Sequence, residues 1–258
     1  MPHALALRLE GPCQSWPAAR AGDTVPTEPA PTLSGIVGLI GAAAGVLYGD
    51  LVGLRDLQDR FQLAVRVDRP GRTRFDYQTV RGVPPRDGAR KKATVLVSPE
   101  YLWDASFVAF CVSDDPAALA PLLQALRAPR WTLALGRATC APSRPLLAAP
   151  SLLAAPSFLD LVRTVPLASR AYARPTFVFD GALFETMGRG FRGVRCRTAW
   201  DRLGAVGFVE RRVVHAVLAS LASSEPVTAE DWFHAGDAAA PAPLEDWFHA
   251  GDAAPEAP

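Results

Sequence analysis

A mixed α+β fold is predicted by three features of this sequence. Strand-like and helix-like segments follow one another in the order β-α-β-β-α-β, a long basic segment interrupts that order between the second and third strands, and a further β-rich region comes after them. Residues 4–9 form the first expected strand, apolar and closed by Gly11-Pro12. A loop rich in Pro and small residues leads to a helix over 33–47, where Leu33, Ile36, Val37, Ile40, Ala44 and Leu47 recur at helical spacing. Thr32 or Ser34 can cap its start. Residues 61–67 alternate apolar and polar side chains as a second strand does, and 101–112 reads as a third. Asp114-Asp115-Pro116 opens a second helix to about Arg127, with acids at its positive end and Pro in its first turn. Residues 131–135 are the expected fourth strand. This order is the ferredoxin-like arrangement, which RNA-recognition modules also use.

The segment 68–98 is too long for a simple hairpin loop. From Arg66 to Lys92 it holds nine basic residues against three acidic ones, a net of +6, and it carries Phe75 and Tyr77. It reads as an arm inserted into the first domain, 1–147. A second region, 148–224, contains a strand at 176–179, an Arg-rich stretch at 189–202 and an apolar run at 206–218. Residues 225–258 form an acidic tail in which E-D-W-F-H-A-G-D occurs twice, at 230–237 and 245–252. Its composition cannot bury a core, so a mobile tail is expected.

Charge is divided along the chain. The tail has eight acids and no Lys or Arg, which leaves 27 basic against 18 acidic groups in the rest, a net of +9. A basic body points to a polyanionic partner. The cysteines Cys13, Cys111, Cys140 and Cys196 are widely spaced, which argues against a zinc ribbon, a C-x-x-C redox motif or a dense disulfide framework, and they read as reduced thiols. The start lacks the pattern of a signal peptide, and the longest apolar stretch is too short to span a bilayer. A cytoplasmic protein without a membrane segment is expected.

Residues suited to a nucleic-acid partner fall in four places. In the arm, Arg72, Arg74, Arg90, Lys91 and Lys92 offer cations to phosphates, and Phe75 and Tyr77 offer faces on which bases stack. At the start of the first helix, Ser34 and Gly35 present backbone amides at the positive end of the dipole. After the fourth expected strand, Gly136 and Arg137 pair a turn with a cation. Gln14 and Trp16 come just after the first strand. The G-x-G-x-x-G at 188–193 is not read as a dinucleotide fingerprint, because residues 194–200 alternate like a strand rather than opening a helix. The four histidines, His3, His215, His234 and His249, lie outside the arm, and no hydrolase, metalloprotease or phosphate-loop motif is present. No cofactor and no metal are expected.

The motifs themselves resemble a known family. The run Gly11-Pro12-Cys13-Gln14-Ser15-Trp16, then Pro31-Thr32-Leu33-Ser34-Gly35, then Tyr101-Leu102-Trp103-Asp104-Ala105-Ser106-Phe107, and finally Leu135-Gly136-Arg137-Ala138-Thr139-Cys140 with Pro142 and Pro145 beyond it, occur in the order found in the CasD subunits of type I-E CRISPR Cascade, of the RAMP superfamily. The resemblance covers about residues 1–147. It implies a ferredoxin-like domain with a protruding thumb hairpin and a smaller C-terminal β region. It further implies a non-catalytic subunit that grips the 5′ handle of the crRNA, beside the backbone and large subunits, and meets target DNA only through the complex. Leu33 stands where that family has lysine, and Pro17 where it has glycine. The alternative is a metal-independent endoribonuclease acting on CRISPR precursor RNA, for which Tyr77, Tyr101, Lys91 and Lys92 are the available groups. A protein-interaction role for the tail is a third.

Overall fold

In the computed structural model, residues 1–18, 24–81, 95–168, 176–187, 191–203 and 207–218 are described. The strands are β1 (His3–Glu10), β2 (Cys13–Gln14), β3 (Trp16–Pro17), β4 (Thr24–Val25), β5 (Thr27–Glu28), β6 (Gln62–Arg69), β7 (Arg72–Phe75), β8 (Gln78–Val80), β9 (Val95–Trp103), β10 (Ser106–Ser113), β11 (Leu153–Ala154), β12 (Thr176–Asp180), β13 (Phe191–Leu203) and β14 (Gly207–Leu218). The helices are α1 (Leu33–Ala44), α2 (Leu51–Asp59), α3 (Pro116–Arg127), α4 (Phe158–Arg163) and α5 (Gly181–Met187).

The apolar runs of β1, β6 and β10 are buried on both sides because helices cover both faces of their sheet. Side chains alternate across a strand. Leu5, Leu7 and Leu9, with Leu63, Val65, Val67, Phe107 and Cys111, therefore face one core with α1 and α3. Ala4, Ala6 and Ala64 face the other, with α4 and α5. These alanines are small, and the volume above the sheet is filled by aromatic rings. Phe158 of α4 meets Phe110 edge-on at 6.0 Å and Phe179 at 5.7 Å. Such pairs add about 0.5–1.5 kcal/mol beyond their burial. A buried ion pair lies on the same side. Arg66 donates to both Asp68 carboxylate oxygens, at 2.6 and 3.0 Å, and to the carbonyls of Val162, Val165 and Pro166. Asp68 Oδ2 in turn accepts from the Ala168 amide. Removing one partner of such a pair costs about 3–5 kcal/mol, since the other charge stays buried and unpaired.

The sheet runs β11-β1-β10-β6-β12-β14-β13, and its neighbours are antiparallel. The strands of 176–218 thus extend the sheet of the N-terminal part: β12 pairs directly with β6, and residue 147 is no boundary within it. Helix α1 is capped by Thr32, whose Oγ1 accepts from the Gly35 amide, and it ends at Gly45 with φ 78°. Asp115 caps α3, with Pro116 in its first turn.

Four expectations need correction. Residues 131–135 are not a strand. Their neighbouring amides bond elsewhere: Arg130 N to Ala43 O, and Leu135 N to Cys140 O. The place beside β1 is taken by a broken strand further on, where Arg8 N donates to Leu146 O, Ala148 N donates to Ala6 O, and β11 adds two residues. Prolines 142, 145 and 150 supply no N–H and keep this edge fragmentary. Second, residues 101–112 are not one strand, because Asp104 takes φ 58° and separates β9 from β10. Third, Asp68 and Arg69 belong to β6, so the arm leaves the sheet only after Arg69, at Pro70-Gly71. Fourth, the first expected helix stops at Ala44. The helices α2, α4 and α5 have no counterpart in the sequence reading.

Candidate nucleic-acid interface

The arm is the central hairpin of the sheet, bent out of it. Strands β6 and β10 pair up to Ser106↔Arg69, after which β7 and β9 pair from Arg72↔Trp103 to Phe75↔Glu100. Both chains turn at the same level. On one, Gly71 has φ 78°, and a methyl there would come within 2.5 Å of Trp103 O. On the other, Asp104 occupies the left-handed region that Asp tolerates better than most residues. Beyond the bend, β8 pairs with Val95–Val97 of β9. Phe75 and Tyr77 are 66% and 68% exposed and Trp103 is 42% exposed, so three aromatic rings stand in solvent where a core would bury them. Arg72 and Arg74 are exposed beside them.

Gln14 and Trp16 act from below. Both side chains are completely buried, so neither presents a free surface beside the arm. Gln14 Nε2 donates to Leu9 O at 3.0 Å and to Ala105 O at 2.9 Å, while its Oε1 accepts from Trp16 Nε1 at 3.2 Å. One amide thereby ties the end of β1 to the bend that aims the arm. Trp16 N donates to Thr27 Oγ1, and Thr27 N donates to the Glu100 carboxylate on β9 at 2.8 Å.

The turn at 135–140 stands against the base of this arm. Gly136 has φ 91°, and a Cβ there would lie 1.6 Å from Ser15 O, so glycine alone fits. The turn is held by Ser15 N donating to Leu135 O and Cys140 N donating to Arg137 O. The Arg137 guanidinium lies 5.1 Å from the Tyr101 ring centre and donates to Val25 O. Two concavities flank the turn. One, of about 610 Å³, is lined by Arg72, Arg74, Phe75, Asp76, Gln78, Tyr101, Trp103, Asp104, Cys13 and Thr139. The other, of about 500 Å³ and mostly apolar, brings Ser34, Gly35 and Gly136 together with Tyr48 and Trp131. Leu33 is buried, so no side-chain cation stands at this first position of α1.

Arg72, Arg74 and Phe75 thus share one concavity with Tyr101, on whose ring Arg137 sits, and Ser34 and Gly35 lie across the turn from them; Tyr77 is exposed on the arm but does not line that concavity. Arg90, Lys91 and Lys92 lie outside the described residues. Sequence reasoning missed Trp103, Trp131 and Tyr48. Their exposure depends on tertiary packing, and an aromatic within an apolar run carries no signal of it. No group of three metal-ligating side chains occurs among the described residues, and none of the helices there is long and apolar enough to cross a membrane.

Residues 4–206 match the profile of the family described as CRISPR-associated protein (Cas_Cas5). This chain belongs to the CRISPR-associated Cas5 family. Over 153 residues the chain is 37% identical to the CRISPR system Cascade subunit CasD of Escherichia coli (strain K12), which takes in 55% of this chain and 68% of that one. Its fold is similar to that of a chain in a solved CRISPR RNA-guided surveillance complex, with a TM-score of 0.66 at 27% identity over 88% of this chain and 96% of the other. A crystal structure of a Cas protein gives a TM-score of 0.60 at 26% identity over 83% of this chain and 94% of the other.

Proposed function

We propose that this Cas5-family chain is a crRNA-binding subunit of a type I-E Cascade complex, and that it grips the 5′ handle of the crRNA without cutting it. One observation carries the reading. Two exposed arginines and two exposed aromatic rings, Phe75 and Trp103, line a single concavity on a bent-out hairpin, next to a glycine turn that carries Arg137. Cations on such a surface neutralise phosphates, and exposed rings stack on unpaired bases regardless of their identity. The strand order β11-β1-β10-β6, with α1 and α3 on one face, supports classing the first part as a ferredoxin-like RAMP domain whose thumb is the β7–β9 arm. In this reading RNA lies along the arm and past the 135–140 turn. Gln14 and Trp16 set the angle of the arm, and the backbone and large subunits of the complex are the protein neighbours.

The test is binding of the purified full chain to single-stranded RNA carrying a repeat-derived segment at its 5′ end. Tighter binding than to the same segment at the 3′ end is expected, with the RNA left intact whether or not divalent metal is present. Equal affinity for both RNAs would remove the handle assignment. Site-specific cutting that disappears in Tyr77→Phe would replace it with an endoribonuclease.

A further inference from the structure

Cys13 and Cys140 are 127 positions apart in the chain, yet their sulfurs lie 3.7 Å from one another. Backbone contacts bracket the pair. On one side Ser15 N donates to Leu135 O at 3.0 Å, and on the other a methyl on Gly11 would meet Ala141 O at 2.6 Å. Two thiols held this way need only side-chain rotation and a small shift to reach the disulfide bonding distance of about 2.05 Å. The two differ in access. Cys13 is half-buried and lines the same concavity as Arg72 and Arg74, whereas Cys140 is buried. Burial, and then the adjacent Cys13, push the Cys140 thiol up to about 11. Cys13 is therefore the sulfur that meets an external reagent, and Cys140 is the one that resolves it. The remaining cysteines serve as internal controls: burial raises the Cys111 thiol and keeps it inert, and Cys196 is exposed on β13.

We propose that Cys13 and Cys140 form a redox modification site, a reversible disulfide that clamps the Arg137-bearing turn to β2. The oxidant is a small disulfide of the glutathione class, whose carboxylates suit the exposed Arg72 and Arg74. Cys13 sulfur, giving up its proton, attacks one sulfur of that disulfide and expels the first glutathione thiol. Cys140 sulfur then gives up its proton, attacks Cys13 sulfur and expels the second. Two protein thiols are oxidised and one glutathione disulfide is reduced to two thiols. The inference rests on the thiol geometry and on the access of Cys13 beside Arg72 and Arg74, and stands or falls independently of the RNA reading.

To test it, the full chain is equilibrated in glutathione buffers of graded oxidised-to-reduced ratio, quenched with an alkylating agent, digested and mapped by mass spectrometry. A Cys13–Cys140 linked peptide is expected, lost again on reduction, while Cys111 stays alkylated and Cys196 gains no more than a mixed disulfide. The oxidised protein should unfold several degrees higher than the reduced one, because a cross-link across a long loop constrains the unfolded chain. That rise should vanish in Cys13→Ser and in Cys13→Ala, while both keep the unfolding temperature of the reduced parent. Cys13 that remains alkylated at every ratio, stops at the mixed disulfide, or links to Cys111 or Cys196 would overturn the proposal.

Discussion

Gly136 does two things that no other residue can do at its position. It takes a φ of 91°, and it lets Ser15 O approach to where a Cβ would stand. Gly136→Ala is expected to lower stability by at least about 1–3 kcal/mol, the range for a side chain forced into a disallowed backbone region. The same change should displace Arg137 from Tyr101 and weaken RNA binding about tenfold for each 1.4 kcal/mol lost. Urea unfolding and RNA titration on one sample check both. Unchanged stability would mean that the turn rearranges freely. Gln14 teaches the complementary lesson. Its position in a motif is legible in the sequence, but its role is not. Only the three hydrogen bonds of its buried amide distinguish a residue that positions the arm from one that touches RNA.

The β7–β9 hairpin is the element that exposes its charges and rings, so its substitutions should separate binding from folding. Single-stranded RNA binding loses about 0.7 in the slope of log affinity against log salt for each phosphate no longer neutralised. Arg72→Ala with Arg74→Ala should therefore flatten that slope by about 1.4. Phe75→Ala and Tyr77→Ala should each cost about 1–3 kcal/mol of binding wherever a base stacks on the ring. All four side chains are exposed, so stability should stay within about 0.5 kcal/mol of the parent. An unchanged salt slope in the double variant would rule the hairpin out as the phosphate-binding element.

At the level of the whole molecule, the continuous sheet joins the N-terminal and C-terminal strands, and Phe158 sits where they meet. Its ring touches Phe110 of β10 and both Phe177 and Phe179 of β12. Phe158→Ala should cost about 3–5 kcal/mol through lost burial and the cavity left behind. Because β12 is paired to β6 by backbone hydrogen bonds, far-ultraviolet dichroism and tryptophan fluorescence should still report one coincident unfolding transition, moved to lower urea. Two separated transitions would show that the C-terminal strands form an independent unit.

Much of this architecture is local and therefore legible in the sequence. The spacing of Leu33, Ile36, Val37 and Ile40 announces α1, Asp115-Pro116 announces the start of α3, alternation marks β6, and apolar runs mark β1 and β14. The surplus of cations and rings in the arm is likewise plain from composition, and the motif order carries the family likeness. What the tertiary structure decided depends on partners distant in the chain. Residues 131–135 have strand-like side chains, but their neighbouring amides find α1 and the 140 carbonyl before they find β1. Residues 101–112 are apolar enough for a single strand, yet they break at Asp104 because Gly71, on the facing chain, allows both to bend together. The buried Arg66–Asp68 pair looks in sequence like the start of the charged arm. It is instead a core anchor, since the carbonyls of 162, 165 and 166 and the amide of 168 satisfy it. Side-chain periodicity records which faces are apolar, and where a backbone hydrogen bond or a buried charge finds its partner is settled only when the chain is packed.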